Sequence, residues 1–418
     1  MMRDDVKVRI LQVGLGSYGA FLLGHMMRPP SGAAVEVVGI VDPSPADENG
    51  ALSHAREADV PVFPSLEAFF KLRTADLAVL ASPIHLHREH VETCTAYGLN
   101  VMCEKPLAAT VQDGLRMQAA AARTGRFVDV GFQWSHSETI QKLKRDIMTG
   151  AFGRPIRLRA ICLWPRVEAY YTRNDWSGRL QHPSGPWVLD SPVANAAAHF
   201  LHNCFYVLGS ARETSLRPES LQAETYRVKA IESYDTAGLR CRSPEGAEIL
   251  FYASHAVEKE LSPAFDFAFE RADVSFHGSG GRGTVIARFH DGQMRDYGNP
   301  WGDPERKLWD SVRCTAEGSP PPCPIEAALP HLACANATHD SREIVDLPAA
   351  LNRTAALALP HNTGACVYAE GLLEGLKQCY AASCLPSELG TLTWARPGRE
   401  IHLGDYRWFP GGTPPAQP

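Results

Sequence analysis

The chain of 418 residues lacks several things whose absence narrows what it can be. Its first residues, MMRDD, carry two acids where a secretory leader needs positive charge. The apolar stretch that follows is interrupted by Gln12, Gly14, Gly16, Ser17 and Gly19, too soon to cross a bilayer. No cysteines stand in C-x-x-C spacing, and eleven is an odd number, which speaks against a disulfide framework or a zinc site. There is no basic run, no basic–aromatic stripe and no internal repeat. With a net charge of −6 and a pI near 6.2, nucleic acid and anionic membranes are poor partners. A cytoplasmic enzyme or binding protein is expected.

What is present suggests two domains, each able to bury a core. The first part alternates short apolar runs with helical patterns: VKVRILQVG, VEVVGIVD, DLAVLAS, LNVMCEK and RFVDVGF read as strands between helices. That rhythm implies βαβ units and a mostly parallel sheet. After about residue 130 it changes. PIRLRAICLW, AETYRVKAIE, AEILFYASHAV and AFDFAFERADVSFHG are strand-like and joined by turns, so a large, open, mostly antiparallel sheet with helices on one side is expected. NTGACVYAEGLLEGLKQC reads as helical. The expected division is a dinucleotide-binding domain over 1–130, an α+β domain over 131–408, and a disordered tail over 409–418.

Between the first strand and its helix stands GLGSYG. Gly14 permits a tight turn, Gly16 lets backbone approach a pyrophosphate, and Gly19 lets helix and strand pack closely. Ser17 and Tyr18 open the helix, whose N-terminus favours phosphate. Asp42 ends the second strand, where an acid binds the ribose hydroxyls of adenosine. It would repel a 2′-phosphate, and Pro43 and Ser44 offer no arginine to hold one. NAD is therefore expected over NADP. Ser82 and Pro83, in ASPIHLH, and Glu104 and Lys105, in VMCEKPL, end two further strands, at the side of the sheet where ligands bind.

Taken together, GLGSYG, ASPIHLH, CEKPLAATVQDG and GAFGRPIRLRA resemble the glucose–fructose oxidoreductase/inositol dehydrogenase (Gfo/Idh/MocA) family, strongly over residues 6 to 160 and less beyond. The resemblance implies a Rossmann domain followed by an open-sheet domain, an NAD(P)-dependent oxidoreductase acting on CH–OH groups of a sugar, polyol or related compound, and a homo-oligomer, dimer or tetramer. It places Lys105 near the nicotinamide and the reacting hydroxyl, and gives His87 a structural or cofactor-loop role. No metal is expected.

Dehydrogenases of this family commonly open a helix of the second domain with D-x-x-x-H, the histidine acting as base. Here Asp190 fits the aspartate, but four residues on stands Ala194. Aligned from the helix's far end, His199 takes the histidine's place and Asn195 the aspartate's. Helix geometry favours the second alignment: with Ser191 as N-cap and Pro192 first, Asn195, His199 and His202 share a face. The expected catalytic group is Lys105, His199, Asn195 and Asp190. In the preceding loop Trp164, Arg166, Arg173 and Trp176 are candidates to bind substrate, with His202; aromatics of this kind also pack loops and subunit contacts. Two other readings of the chain are an enzyme that recycles tightly bound NAD to eliminate or hydrolyse a glycoside, and a non-catalytic sensor on the same fold.

Overall fold

The computed structural model describes residues 7–47, 50–359 and 362–414. The chain divides into two units. One takes residues up to 108, 113–137 and 303–329; the other takes 109–112, 138–302 and the chain from 330.

In the first unit β1 (Val8–Val13), β2 (Val35–Val41), β3 (Val62–Phe63), β4 (Leu77–Leu80), β5 (Asn100–Cys103) and β6 (Val128–Val130) form one sheet in the order β3-β2-β1-β4-β5-β6. All five pairings are parallel. This is the doubly wound order, which reverses between β1 and β4 and so opens a crevice at their carboxyl ends. Strands covered on both faces need side chains that are apolar on both, and Leu77, Ala78, Val79 and Leu80 are all fully buried.

The expected single cut at residue 130 needs correction, because 303–329 returns to this unit. The helix Arg306–Glu317 brings Leu308 and Val312 into the core formed by Ile10, Leu22, Ile40, Leu77 and Met102. Burying Leu308 alone is worth about 1.5–3 kcal/mol.

The second unit is built on β7 (Pro155–Leu163), β8 (Ser220–Arg227), β9 (Thr236–Arg242), β10 (Glu248–Ser254), β11 (Leu261–Phe269), β12 (Ala272–His277), β13 (Val285–Phe289), β14 (Met294–Gly298) and β15 (Val345–Asp346). After these come a hairpin of β16 (Asn352–Leu359) and β17 (Asn362–Ala369), and then β18 (Glu400–His402). The sheet has ten strands and runs β14-β13-β12-β11-β7-β10-β9-β8-β15, with β18 beside β8. Only β7–β10 and β8–β15 are parallel. The helix Leu372–Ala382 covers one face, setting Leu373, Leu376 and Cys379 against Ile161, Leu250 and Tyr252.

Two expectations fail here. NTGACVYA is a strand, not the start of a helix. Val367 and Tyr368 suit a pleated surface, β16 pairs its backbone, and the helix begins only after Gly371, at φ 79°. The tail is not wholly disordered: Phe409 is buried edge-on against Trp187 at 5.2 Å, and its N–H donates to Gln112 Oε1 at 2.9 Å. Residues 415–418 lie outside the described residues. All eleven cysteines are free thiols, ten of them buried. Among the described residues no helix is long and apolar enough to cross a membrane.

Candidate active site

The glycine turn after β1 is closed toward the protein and open outward. Gly14 has φ 85°, and a Cβ there would lie 2.8 Å from the Ala81 carbonyl oxygen; one at Gly19 would lie 2.2 Å from that of Gly14. At Gly16 a Cβ would meet nothing within 4 Å, so backbone is exposed at this point. Among the described residues no side chain caps the helix Ser17–Met26, and its first turn carries no acid. Its leading N–H groups are therefore available to an anion. Asp42 Oδ2 accepts the Leu15 N–H at 2.8 Å and Oδ1 that of Ser44 at 2.8 Å, which holds the carboxylate beside the turn. A dinucleotide fits these residues.

The strand ends that flank this turn are tied together. His87 is buried with Nε2 2.9 Å from the Ser82 carbonyl oxygen and Nδ1 3.0 Å from that of Pro106, so one imidazole joins the turns after β4 and β5. Burial lowers its pKa. Ser82 Oγ meets His90 Nδ1 at 3.0 Å, and burial, with His87 nearby, lowers His90 to about 4, which keeps it neutral.

Glu104 is held by a residue sequence reasoning missed. Lys307, fully buried on the returning helix, places Nζ 2.5 Å from Glu104 Oε1, donates to the Gly131 carbonyl oxygen at 3.1 Å, and lies 4.4 Å from the centre of the Tyr18 ring. Burial opposes the lysine's charge, but Glu104 and Tyr18 outweigh it and raise its pKa. Gln133 Nε2 donates to Tyr18 Oη at 2.9 Å. The helix of the glycine turn and the E-K-P turn thus share one cation. The signal available was a lysine among the apolar positions of ERKLWDSV.

A second buried network, also missed, lies in the same unit. His136 Nε2 is 3.4 Å from Asp129 Oδ1, and Nδ1 is 3.1 Å from Asp310 Oδ2. Burial opposes its charge, yet the two carboxylates raise its pKa to about 9. A folded value above the ordinary 6.5 contributes stability that is complete below pH 6.5 and is lost as pH rises through 9. The unfolding free energy should fall by roughly 3 kcal/mol over that window. Urea titrations across it should show a slope that His136→Gln flattens; an unchanged slope would refute the pairing.

In the second unit the helix containing the proposed base begins irregularly. Ser191 Oγ accepts the Ala194 N–H at 3.1 Å as an N-cap, but Pro192–Ala196 is a π-turn, closed by the Ala197 N–H on the Pro192 carbonyl oxygen at 2.8 Å. The regular helix runs Ala198–Tyr206. A π-turn absorbs one extra residue, so Asn195 and His199 do not follow the uninterrupted 3.6-residue face expected of them. Asp190 and Asn195, five positions apart, meet directly: Asn195 Nδ2 donates to Asp190 Oδ1 at 2.8 Å. A carboxylate only accepts, so this contact sets the amide's orientation. Asp190 Oδ2 accepts the Gly178 N–H at 2.7 Å. The preceding Leu189 is held at φ 52°, a left-handed conformation costing a non-glycine residue about 1–3 kcal/mol.

His199 is 8% exposed, and the adjoining Phe200 packs edge-on against Trp164 at 5.6 Å. His202 is 1% exposed and stacks on Tyr206 at 5.6 Å, within the packing beneath the helix. Arg166 and Arg173 flank the Tyr170 ring at 5.0 and 3.8 Å, and Trp176 lies 5.9 Å from Arg173. Arg179, in the same loop, is paired with Glu232 at 2.8 Å.

The doubly wound sheet and its open glycine turn define a dinucleotide-binding protein. Residues 8–132 match the family model described as "Oxidoreductase family, NAD-binding Rossmann fold" (GFO_IDH_MocA). It is 29% identical over 193 residues to inositol 2-dehydrogenase 3 of Saccharopolyspora erythraea, covering 45% of this chain and 56% of that protein. It is 29% identical over 175 residues to 2,7-anhydro-N-acetylneuraminate hydratase of Mediterraneibacter gnavus, covering 42% and 41%. The chain spans about half the length of the curated relatives it matches. In fold it is similar to the WlbA dehydrogenase of Bordetella pertussis, solved with NADH and UDP-GlcNAcA: TM-score 0.66, 24% identity, 80% of this chain and 95% of that one.

Proposed function

We propose that this protein is an NAD-dependent dehydrogenase that oxidises a CH–OH group of a sugar, polyol or sugar acid. The observation that supports this most is in one sheet: an uncapped glycine turn at the end of β1, and the E-K-P turn, gripped by Lys307, at the end of β5. Bound NAD supplies the hydride acceptor. Gly14, Gly16, Ser17, Tyr18 and Gly19 hold its pyrophosphate, Asp42 its adenosine ribose, and the Ser82, Pro83, His87 and Glu104 turns shape the nicotinamide end. In this reading Lys105 donates a hydrogen bond to the substrate hydroxyl oxygen and stabilises its developing negative charge. His199 takes the hydroxyl proton as general base. Asn195, oriented by Asp190, positions the imidazole, and Asp190 supplies the negative charge that an asparagine cannot.

The test is a panel of sugars, polyols, aldonates and uronates with NAD⁺ and NADP⁺, followed by formation of reduced cofactor. Turnover with none of them would refute the reading. Asp42→Ala should weaken NAD binding about 10- to 100-fold, the value of one or two charge-assisted hydrogen bonds, and narrow the preference over NADP. Equal discrimination in wild type and variant would remove Asp42 from the site.

A second reading rests on the hydratase relative: cofactor stays bound and is recycled while water is added to or eliminated from the substrate. Substrate would then disappear without accumulation of NADH.

A further inference from the structure

Several arginines of the second unit are answered by a carboxylate. Arg159 has Asp266, Arg179 has Glu232, Arg227 has Asp346 and Arg240 has Glu388. Arg166 and Arg173 are different. Among the described residues neither forms an ion pair. Arg166 Nη1 donates to the Pro165 carbonyl oxygen at 3.4 Å, its side chain also hydrogen-bonds Tyr170, and Arg173 Nε donates to Ser177 Oγ at 3.2 Å. The Arg166 Nε is buried without a hydrogen-bond partner, and so is Nε2 of the neighbouring His255.

These groups stand where the only long parallel pair of the large sheet ends. The Trp164 N–H donates to the Ser254 carbonyl oxygen at 2.9 Å, and the Arg166 N–H to that of His255 at 3.1 Å, so both follow directly from the ends of β7 and β10. The two guanidinium groups flank one Tyr170 ring. The cationic character registers on His255: burial lowers its pKa, and Arg166, Lys229 and Arg173 push it lower still. The nearby acids are committed elsewhere. Asp190 accepts from Gly178 and Asn195, and Glu168 pairs with Lys229 at 3.6 Å. A partly buried guanidinium with unmade hydrogen bonds is costly unless an anion completes it, and its planar fork matches a carboxylate.

We propose that Arg166 and Arg173 form a carboxylate-binding subsite, so that the substrate is a sugar acid, an aldonate or uronate, rather than a neutral sugar or polyol. The subsite lies one aromatic contact from the proposed base, since Trp164 packs on Phe200 beside His199. Trp164 and Trp176 offer apolar faces to the C–H side of such a molecule. This inference rests on the dehydrogenase reading for its chemistry, though not for its binding.

The test compares gluconate, glucuronate and galacturonate with glucose and galactose, by kcat/KM with NAD⁺ and by calorimetric binding to the intact protein. The acids should be preferred at least tenfold. Arg166→Gln should lower kcat/KM for the preferred acid roughly 30- to 100-fold, chiefly through KM, collapse the acid-over-neutral preference, and leave Arg166→Lys intermediate. Arg173→Gln, at an exposed position, provides a second variant should Arg166→Gln fold poorly. Equal use of acids and neutral sugars, with both variants lowering them alike, would overturn the subsite while leaving the dehydrogenase intact. Binding of acids that is lost in the variants, without NADH formation, would sustain the subsite and refute the dehydrogenase. No binding of any acid would overturn the subsite.

Discussion

His199→Ala should lower kcat by about 10²- to 10⁴-fold while NAD binding remains, because general base catalysis contributes that much and the residues proposed to hold the dinucleotide lie in the other unit. The side chain is 8% exposed on a regular helix, and the Asp190–Asn195 hydrogen bond lies in and just before the π-turn ahead of it, so truncation removes a ring without disturbing that brace. Two measurements separate a base from a packing residue. Titration of NADH fluorescence should give wild-type affinity in the variant. The acid limb of the kcat/KM profile should vanish, since an alanine has nothing to protonate. Near-wild-type turnover would move the proton acceptor elsewhere. Asn195→Ala should cost less, because it removes an orienting group and leaves the imidazole in place.

Lys307→Met should destabilise the protein by about 3–5 kcal/mol, the cost of leaving a buried carboxylate without its cation. Glu104 is 8% exposed, and Lys307 is the only cation paired with it among the described residues. The double variant Lys307→Met, Glu104→Gln should recover a large part of that loss, since an apolar side chain against a neutral amide no longer strands a charge. Activity should not recover with it. Glu104 adjoins Lys105, and its Oε2 lies 3.4 Å from the Lys105 backbone nitrogen, so the pair positions the residue proposed to touch substrate. Urea denaturation of the four proteins of the cycle, with NADH affinity alongside, tests both claims. Additive stability losses would mean that the ion pair carries no coupling.

How much of this could be read from residues alone follows from what each feature depends on. β4 is apolar along its whole length, and β1, β2 and β5 over most of theirs, because parallel strands are covered on both faces, and the glycine turn is local in sequence. Those parts were legible. Lys307 was not, because it meets Gly131 from 176 positions away, and an isolated lysine in a helix usually points to water. The π-turn was invisible for a different reason. Periodicity assumes 3.6 residues per turn, and one five-residue turn displaces every later side chain on the wheel. The hairpin of β16 and β17 was hidden by alanine and glycine, which carry no alternating pattern, and Phe409 by the proline and glycines that follow it.

The return of residues 303–329 has a consequence for biosynthesis. Translation delivers the six strands of the first sheet by residue 130, but the helix that covers part of their core and neutralises Glu104 emerges nearly two hundred residues later. Until then the nascent sheet carries an exposed apolar strip and a carboxylate with no counter-charge, the kind of surface that chaperones hold. A gene truncated after residue 137 would leave that strip open permanently. Such a fragment should aggregate when expressed alone, and supplying 303–329 through a short fused linker should restore its solubility.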